Sequence, residues 1–220
     1  MIKIFYTKFN PEDMTAILDQ WLSILPFQLQ KINQSYKNKE DQVRNLSGKL
    51  LLAEALKNIG YGSIALDTIQ YNQFKKPYLS KDFDFSISHS GRYVFCVIGK
   101  NLKLGLDIEE IKPINFSEIT NIMSNSEWKQ INEASNPLRQ FFTLWTLKEA
   151  AIKAEGTGFF TDLNTIKVKG NTIHIGDNIW FSNKLVFDEN YSGHLVTSNL
   201  ERGYEMIFKD LTIANYDKKK

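Results

Sequence analysis

Between residues 83 and 109 the chain alternates apolar and polar side chains, and that period of two limits the folds open to it. Phe83, Phe85 and Ile87 alternate with Asp84, Ser86 and Ser88. The polar turn His89-Ser90-Gly91-Arg92 leads into the apolar run 93–98. Leu104, Leu106 and Ile108 then alternate with Gly105, Asp107 and Glu109. Successive side chains of a strand point to opposite faces. The stretch therefore predicts a β-hairpin followed closely by a third strand whose leucines enter the core while Asp107 and Glu109 leave the sheet together.

Around this block the periodicity changes. Residues 2 to 8 predict a strand, and Asn10-Pro11-Glu12-Asp13 opens a helix with Asn10 as cap and acids near its positive end. Met14, Ile17, Leu18, Trp21, Leu22 and Leu25 recur at the spacing of one helical face until Pro26 stops them. A second helix is predicted over 39–58, carrying Val43, Leu46, Leu50 and Ala53 and ending at Gly60. Ser126-Glu127-Trp128 begins another. Asn136-Pro137 starts a longer one to about Glu155, stopped by Gly156-Thr157-Gly158, and short strand-like runs fill 165 to 215. Helices followed by strands, twice, predict an α+β protein of two similar halves, 1–103 and 104–220. No low-complexity linker separates them, so one packed body is expected.

Composition excludes several classes. The 220 residues are enough to bury a substantial core, and 24% charged with 42% hydrophobic residues is ordinary for a soluble globular protein. A net charge of +2, part of it in the terminal Lys218-Lys219-Lys220, does not suggest bulk nucleic-acid binding. The single cysteine, Cys96, lies in an apolar run and is expected as a small buried hydrophobe. The N-terminus lacks the apolar core of a signal peptide, and no segment approaches a membrane span. A cytoplasmic enzyme or binding protein fits best.

The chemistry concentrates in two stretches some forty residues apart. Asp107 and Glu109 on one strand face would lie about 7 Å apart and repel each other unless a cation sits between them. A hard cation such as Mg²⁺ accepts carboxylates while keeping waters and phosphate oxygens. No cysteine cluster or histidine pair competes for a softer metal. Glu149 and Lys153, at i and i+4, share a helix face with Trp145 and Ile152, which places the charged pair at the edge of the core. Read plainly, each pair is a solvated face or an ordinary salt bridge; together they suit a divalent cation holding a phosphate beside a lysine. His89, before a tight turn, is either a loop histidine or a phosphate ligand. Lys75-Lys76-Pro77 is a basic turn, and the Arg44 guanidinium is suited to phosphate. His174 and His194 have no such setting.

These residues resemble a known family. Gly105-Leu106-Asp107-Ile108-Glu109 and Trp145-Thr146-Leu147-Lys148-Glu149-Ala150-Ala151-Ile152-Lys153 are similar to the paired signatures of 4′-phosphopantetheinyl transferases, most closely the long, surfactin-synthetase-activating type. The resemblance extends in order through Lys39-Glu40-Asp41 with Arg44, Lys76-Pro77, Phe85-Ser86-Ile87-Ser88-His89-Ser90-Gly91 and Gly156-x-Gly158. It implies transfer of the 4′-phosphopantetheine arm of coenzyme A to a serine of an acyl or peptidyl carrier protein, releasing 3′,5′-ADP. On that footing Asp107, Glu109 and Glu149 would hold Mg²⁺. Lys153 would contact phosphate, Arg44, Lys76, Ser88 and His89 would help bind coenzyme A, and Glu149 or a water on the metal would serve as base. The implied fold is two α+β halves about a pseudo-twofold axis, with coenzyme A in the cleft between them and the chain acting as a monomer. Relatives often carry glycine where Lys75 stands, and Lys31 matches none of their lysines clearly. The alternative is a non-catalytic module that binds coenzyme A or a carrier protein.

Overall fold

The computed structural model describes residues 2–60, 63–79, 82–200 and 203–212. It opens with strand β1 (Ile2–Lys8), followed by helices α1 (Met14–Trp21), α2 (Phe27–Gln34) and α3 (Lys39–Asn58). A two-residue pair, β2 (Gln70–Tyr71) with β3 (Pro77–Tyr78), precedes the expected hairpin of β4 (Phe83–Ser90) and β5 (Tyr93–Lys100). β6 (Leu104–Glu110), α4 (Asn125–Asn132) and α5 (Pro137–Glu155) follow. The chain continues through β7 (Lys167–Lys169), β8 (Thr172–Ile175), β9 (Asn178–Lys184), β10 (Tyr191–Thr197) and β11 (Tyr204–Phe208). The mixture of helices and sheets is the α+β class expected. The lysines at 218–220 lie outside the described residues.

The strands form two main sheets, ordered β11-β1-β5-β4 and β6-β10-β9-β8-β7. Helix α3 covers the first, packing Val43, Leu46 and Leu50 onto Phe5, Phe85 and Cys96. Helix α5 covers the second, with Ala150, Ala151 and Ala154 against Ile173 and Val196. The remaining faces share a core of Ile4, Phe95, Val97, Leu104, Leu106 and Ile108. The sequence order therefore becomes four layers, helix, sheet, sheet, helix, with the two long helices outermost.

Where β4 and β6 run side by side, no backbone ladder joins them. A row of side chains does. Asp84 Oδ2 and the hydroxyls of Ser86, Ser88 and Ser90 accept the N–H groups of Leu104, Leu106, Ile108 and Glu110 at 2.9–3.2 Å. The polar half of the alternation in β4 is thus buried, not solvated: Asp84, Ser86 and Ser88 are each almost fully enclosed. Backbone donors removed from water need acceptors, and a polar residue at every second position supplies them in register.

Two expectations change. The first helix is not continuous to Leu25. α1 ends at Trp21 in a 3₁₀ turn over Leu22–Ile24, and Pro26 caps α2, a helix the apolar pattern did not predict. Asn10 bonds the Asp13 carboxylate with its side chain instead of capping a backbone N–H. By contrast α3 and α5 match the predicted spans. Gly156 ends α5 in the left-handed conformation, at φ 81°, that glycine adopts without steric cost. Cys96 is fully buried, which pushes its thiol pKa up to about 12.

Candidate active site

Gly105 decides how α5 closes on the second sheet. A Cβ at this position would overlap the Ala150 carbonyl oxygen and the Ala154 nitrogen of α5. Only glycine lets the helix backbone lie directly on β6. The room left by Gly105 is therefore filled by the helix. That contact places Glu149 and Lys153 over Asp107 and Glu109, which share the Gly105 face of the strand.

Asp107 is consequently not the exposed acid the alternation predicts; it is only 4% exposed. Lys153 Nζ donates to its Oδ1 at 2.6 Å, and the Ser88 hydroxyl donates to the same oxygen at 2.9 Å. Lys153 also reaches Ser88 Oγ at 3.1 Å. The i,i+4 salt bridge between Glu149 and Lys153 does not form among the described residues; the lysine turns across to the strand instead. Glu109 accepts from the Ser90 hydroxyl at 2.7 Å. Trp145, half-buried at this edge, lines the same small cavity of about 280 Å³ as the three acids.

The electrostatics are those of an acidic cluster only partly compensated by Lys153. Burial raises the pKa of Glu109, aided by the Asp107 charge and opposed by the Ser90 hydrogen bond. Burial also raises that of Glu149, with the charges of Asp107 and Glu109 adding to it and Lys153 opposing. The second Asp107 oxygen, Oδ2, is buried with no hydrogen-bond partner. Among the described residues no three acidic, histidine or cysteine side chains converge closely enough to enclose an ion as they stand. The donor chemistry nonetheless fits a hard divalent cation: three carboxylates on one cavity and one bare buried oxygen.

A larger chamber of about 570 Å³ adjoins the acidic one and shares Ile87, His89, Glu149 and Lys153 with it. Arg44, Lys76 and His89 line it. Arg44 is held by Glu40 at 2.7 Å, Asp41 at 2.9 Å and the Gly91 carbonyl at 3.0 Å. Lys76 donates to Asp84 at 2.7 Å and to the carbonyls of Leu104 and Ala154 at 3.2 and 3.3 Å. Burial lowers its pKa, against the pull of Asp84. His89 sits at the rim, its pKa lowered by partial desolvation and then by the charges of Lys153 and Arg44. The chamber thus brings together every site residue the sequence singled out except Ser88, Asp107 and Glu109, which line the acidic cavity.

Three contributors escaped the sequence reading. Asn72 accepts from the N–H groups of Phe74 and Lys76 and donates to the Gly156 carbonyl, so it fixes the basic turn against the end of α5. Lys148 is fully buried and pairs with Glu127 at 2.6 Å. His194, on β10, faces Thr146 at 2.8 Å beneath α5. The Ser124-x-x-Glu127 capping box was a legible cue for Glu127 alone.

Comparison with known proteins supplies the class. Residues 103–205 match the model of the 4′-phosphopantetheinyl transferase superfamily. The 4′-phosphopantetheinyl transferase gsp of Aneurinibacillus migulanus is 31% identical over 175 residues, 78% of this chain and 73% of that protein. The transferase Sfp of Bacillus subtilis (strain 168) is 27% identical over 207 residues, 88% of each. A rat protein, the L-aminoadipate-semialdehyde dehydrogenase-phosphopantetheinyl transferase of Rattus norvegicus, is 30% identical over 77% of this chain and 62% of its own length. The molecule is an enzyme of the phosphopantetheinyl-transferring class, which sets aside the non-catalytic alternative. It belongs to the 4′-phosphopantetheinyl transferase superfamily, in its long, surfactin-synthetase-activating type. No helix among the described residues is long and apolar enough to cross a membrane.

Proposed function

We propose that the enzyme takes the 4′-phosphopantetheine arm from coenzyme A and places it on a serine of an apo acyl or peptidyl carrier protein. A bond forms between the serine oxygen and the phosphorus bearing the arm. The pyrophosphate bond to that phosphorus breaks, and 3′,5′-ADP leaves. The observation that carries this reading is the junction of three carboxylates from two elements with a chamber lined by cations. Displacement at phosphorus depends on positioning and on neutralising charge spread over phosphate oxygens.

Asp107, Glu109 and Glu149 are the residues that would hold Mg²⁺, which supplies neutralisation of the diphosphate when bound. Lys153 adds a cation at the same edge, and Ser88 orients both Lys153 and Asp107. Glu149, alone of the three acids, lines both cavities. Either Glu149 or a water on the metal would take the serine proton. Arg44, Lys76 and His89 line the chamber that takes the nucleotide end. The long helix of each half, 1–103 and 104–220, covers one of the two main sheets, in support of a pseudo-twofold relation and a monomer with its cleft between the halves. We place the enzyme in the cytoplasm, where coenzyme A and carrier proteins meet.

The test incubates the protein with coenzyme A, Mg²⁺ and an apo carrier protein and reads the carrier by mass spectrometry. One added arm on the serine is expected. No mass gain across several carriers, with folded enzyme, would refute the proposal.

A further inference from the structure

The larger chamber contains a cation that has no partner among the described residues. Lys49, on α3, is half-buried and lines the chamber. Among the described residues it has neither a hydrogen bond nor an ion pair. The other cations of the chamber differ. Arg44 is matched by Glu40 and Asp41, Lys76 by Asp84 and Lys153 by Asp107. Lys75 is exposed and stays hydrated. Phe74, Phe85 and Ile87 line the same chamber as Lys49. Desolvation lowers the pKa of Lys49, as expected for a partly buried ammonium without a counter-charge. Partial burial without a partner costs free energy that an anionic ligand would return.

Resting on the function proposed above, we propose that Lys49 binds the phosphate monoester at the nucleotide end of the donor, the 3′-phosphate. Two phosphate groups of the donor need charge. The diphosphate belongs with the acids and Lys153, which line the smaller cavity; Lys49 does not line that cavity. The monoester carries about two negative charges at neutral pH and must lie in the remaining chamber. There Arg44 and Lys76 are already offset by carboxylates, so Lys49 is the half-buried cation left to meet it.

The test is calorimetric binding of coenzyme A and of 3′-dephospho-coenzyme A to the full chain, for wild type, Lys49→Met and Lys49→Arg. Lys49→Met should weaken coenzyme A binding by about ten-fold or more while leaving that of the dephospho compound unchanged. Lys49→Arg should keep most of the affinity, and since it retains the charge and stem it remains informative should the Met variant fold poorly. Equal losses on both ligands, or no loss on either, would overturn the assignment while leaving the transferase reading intact. A wild-type protein that bound neither ligand would overturn both.

Discussion

At the scale of single residues, a fully buried cation holds structure. Lys148 is fully enclosed; its ammonium meets Glu127 at 2.6 Å and the Leu163 carbonyl at 3.0 Å. The same Glu127 oxygen accepts from the Ser124 N–H and hydroxyl, so one pair ties α4, α5 and the segment at 163 together. Lys148→Met leaves a carboxylate buried without its cation, and urea unfolding should show a loss of about 3–5 kcal/mol. Adding Glu127→Leu should recover at least half of it. His194 gives the pH dependence. Burial lowers its pKa to about 4, whereas the unfolded imidazole titrates near 6.5. Above that value both states are neutral and the stability is complete. Below it the unfolded chain takes up a proton that the folded chain refuses, so stability falls until the pH reaches about 4. From pH 7 to pH 5 this residue should remove about 2 kcal/mol, and His194→Gln should flatten the profile by that amount. Neither Lys148 nor His194 was visible as important in the sequence, because a lone lysine or histidine reveals its burial only through distant partners.

At the scale of elements, one close contact sets the site. The α5–β6 approach rests on Gly105, whose missing side chain is occupied by helix backbone. Gly105→Ala should destabilise the fold by about 1–3 kcal/mol or more through overpacking, lowering the melting temperature. It should also reduce arm transfer per folded molecule, since α5 carries Glu149 and Lys153. A variant with unchanged melting and transfer would mean the helix is free to shift. The long helices were legible: α3 and α5 have caps, stop signals and buried stripes matching their spacing. Helix α2 was not, because Phe27 and Ile32 are exposed and the side chains it buries are Leu29 and Asn33. No apolar face announces such a helix. The polar side of β4 was legible as alternation but not in meaning, since Asp84, Ser86 and Ser88 look the same whether they meet water or a neighbouring strand's N–H groups.

At the scale of the whole molecule, strands distant in sequence are interlocked. β11 returns from the end of the chain to pair in parallel with β1, from Ile2 with Tyr204 to Tyr6 with Phe208. Just beyond it, Leu211 packs into the first core and its carbonyl accepts the Trp21 indole N–H at 2.6 Å. Pairing across two hundred residues has no local signature, so this closure could not be read from the chain. The three acids could be, because strand and helix periodicity each fix one face and the motifs set their order. Their burial could not. The most direct test is electron paramagnetic resonance of Mn²⁺ as a Mg²⁺ substitute, with coenzyme A present, on wild type and on Asp107→Asn, Glu109→Gln and Glu149→Gln. The account predicts one tightly bound Mn²⁺ per chain, weakened at least ten-fold by each substitution; binding that survives all three unchanged would contradict it.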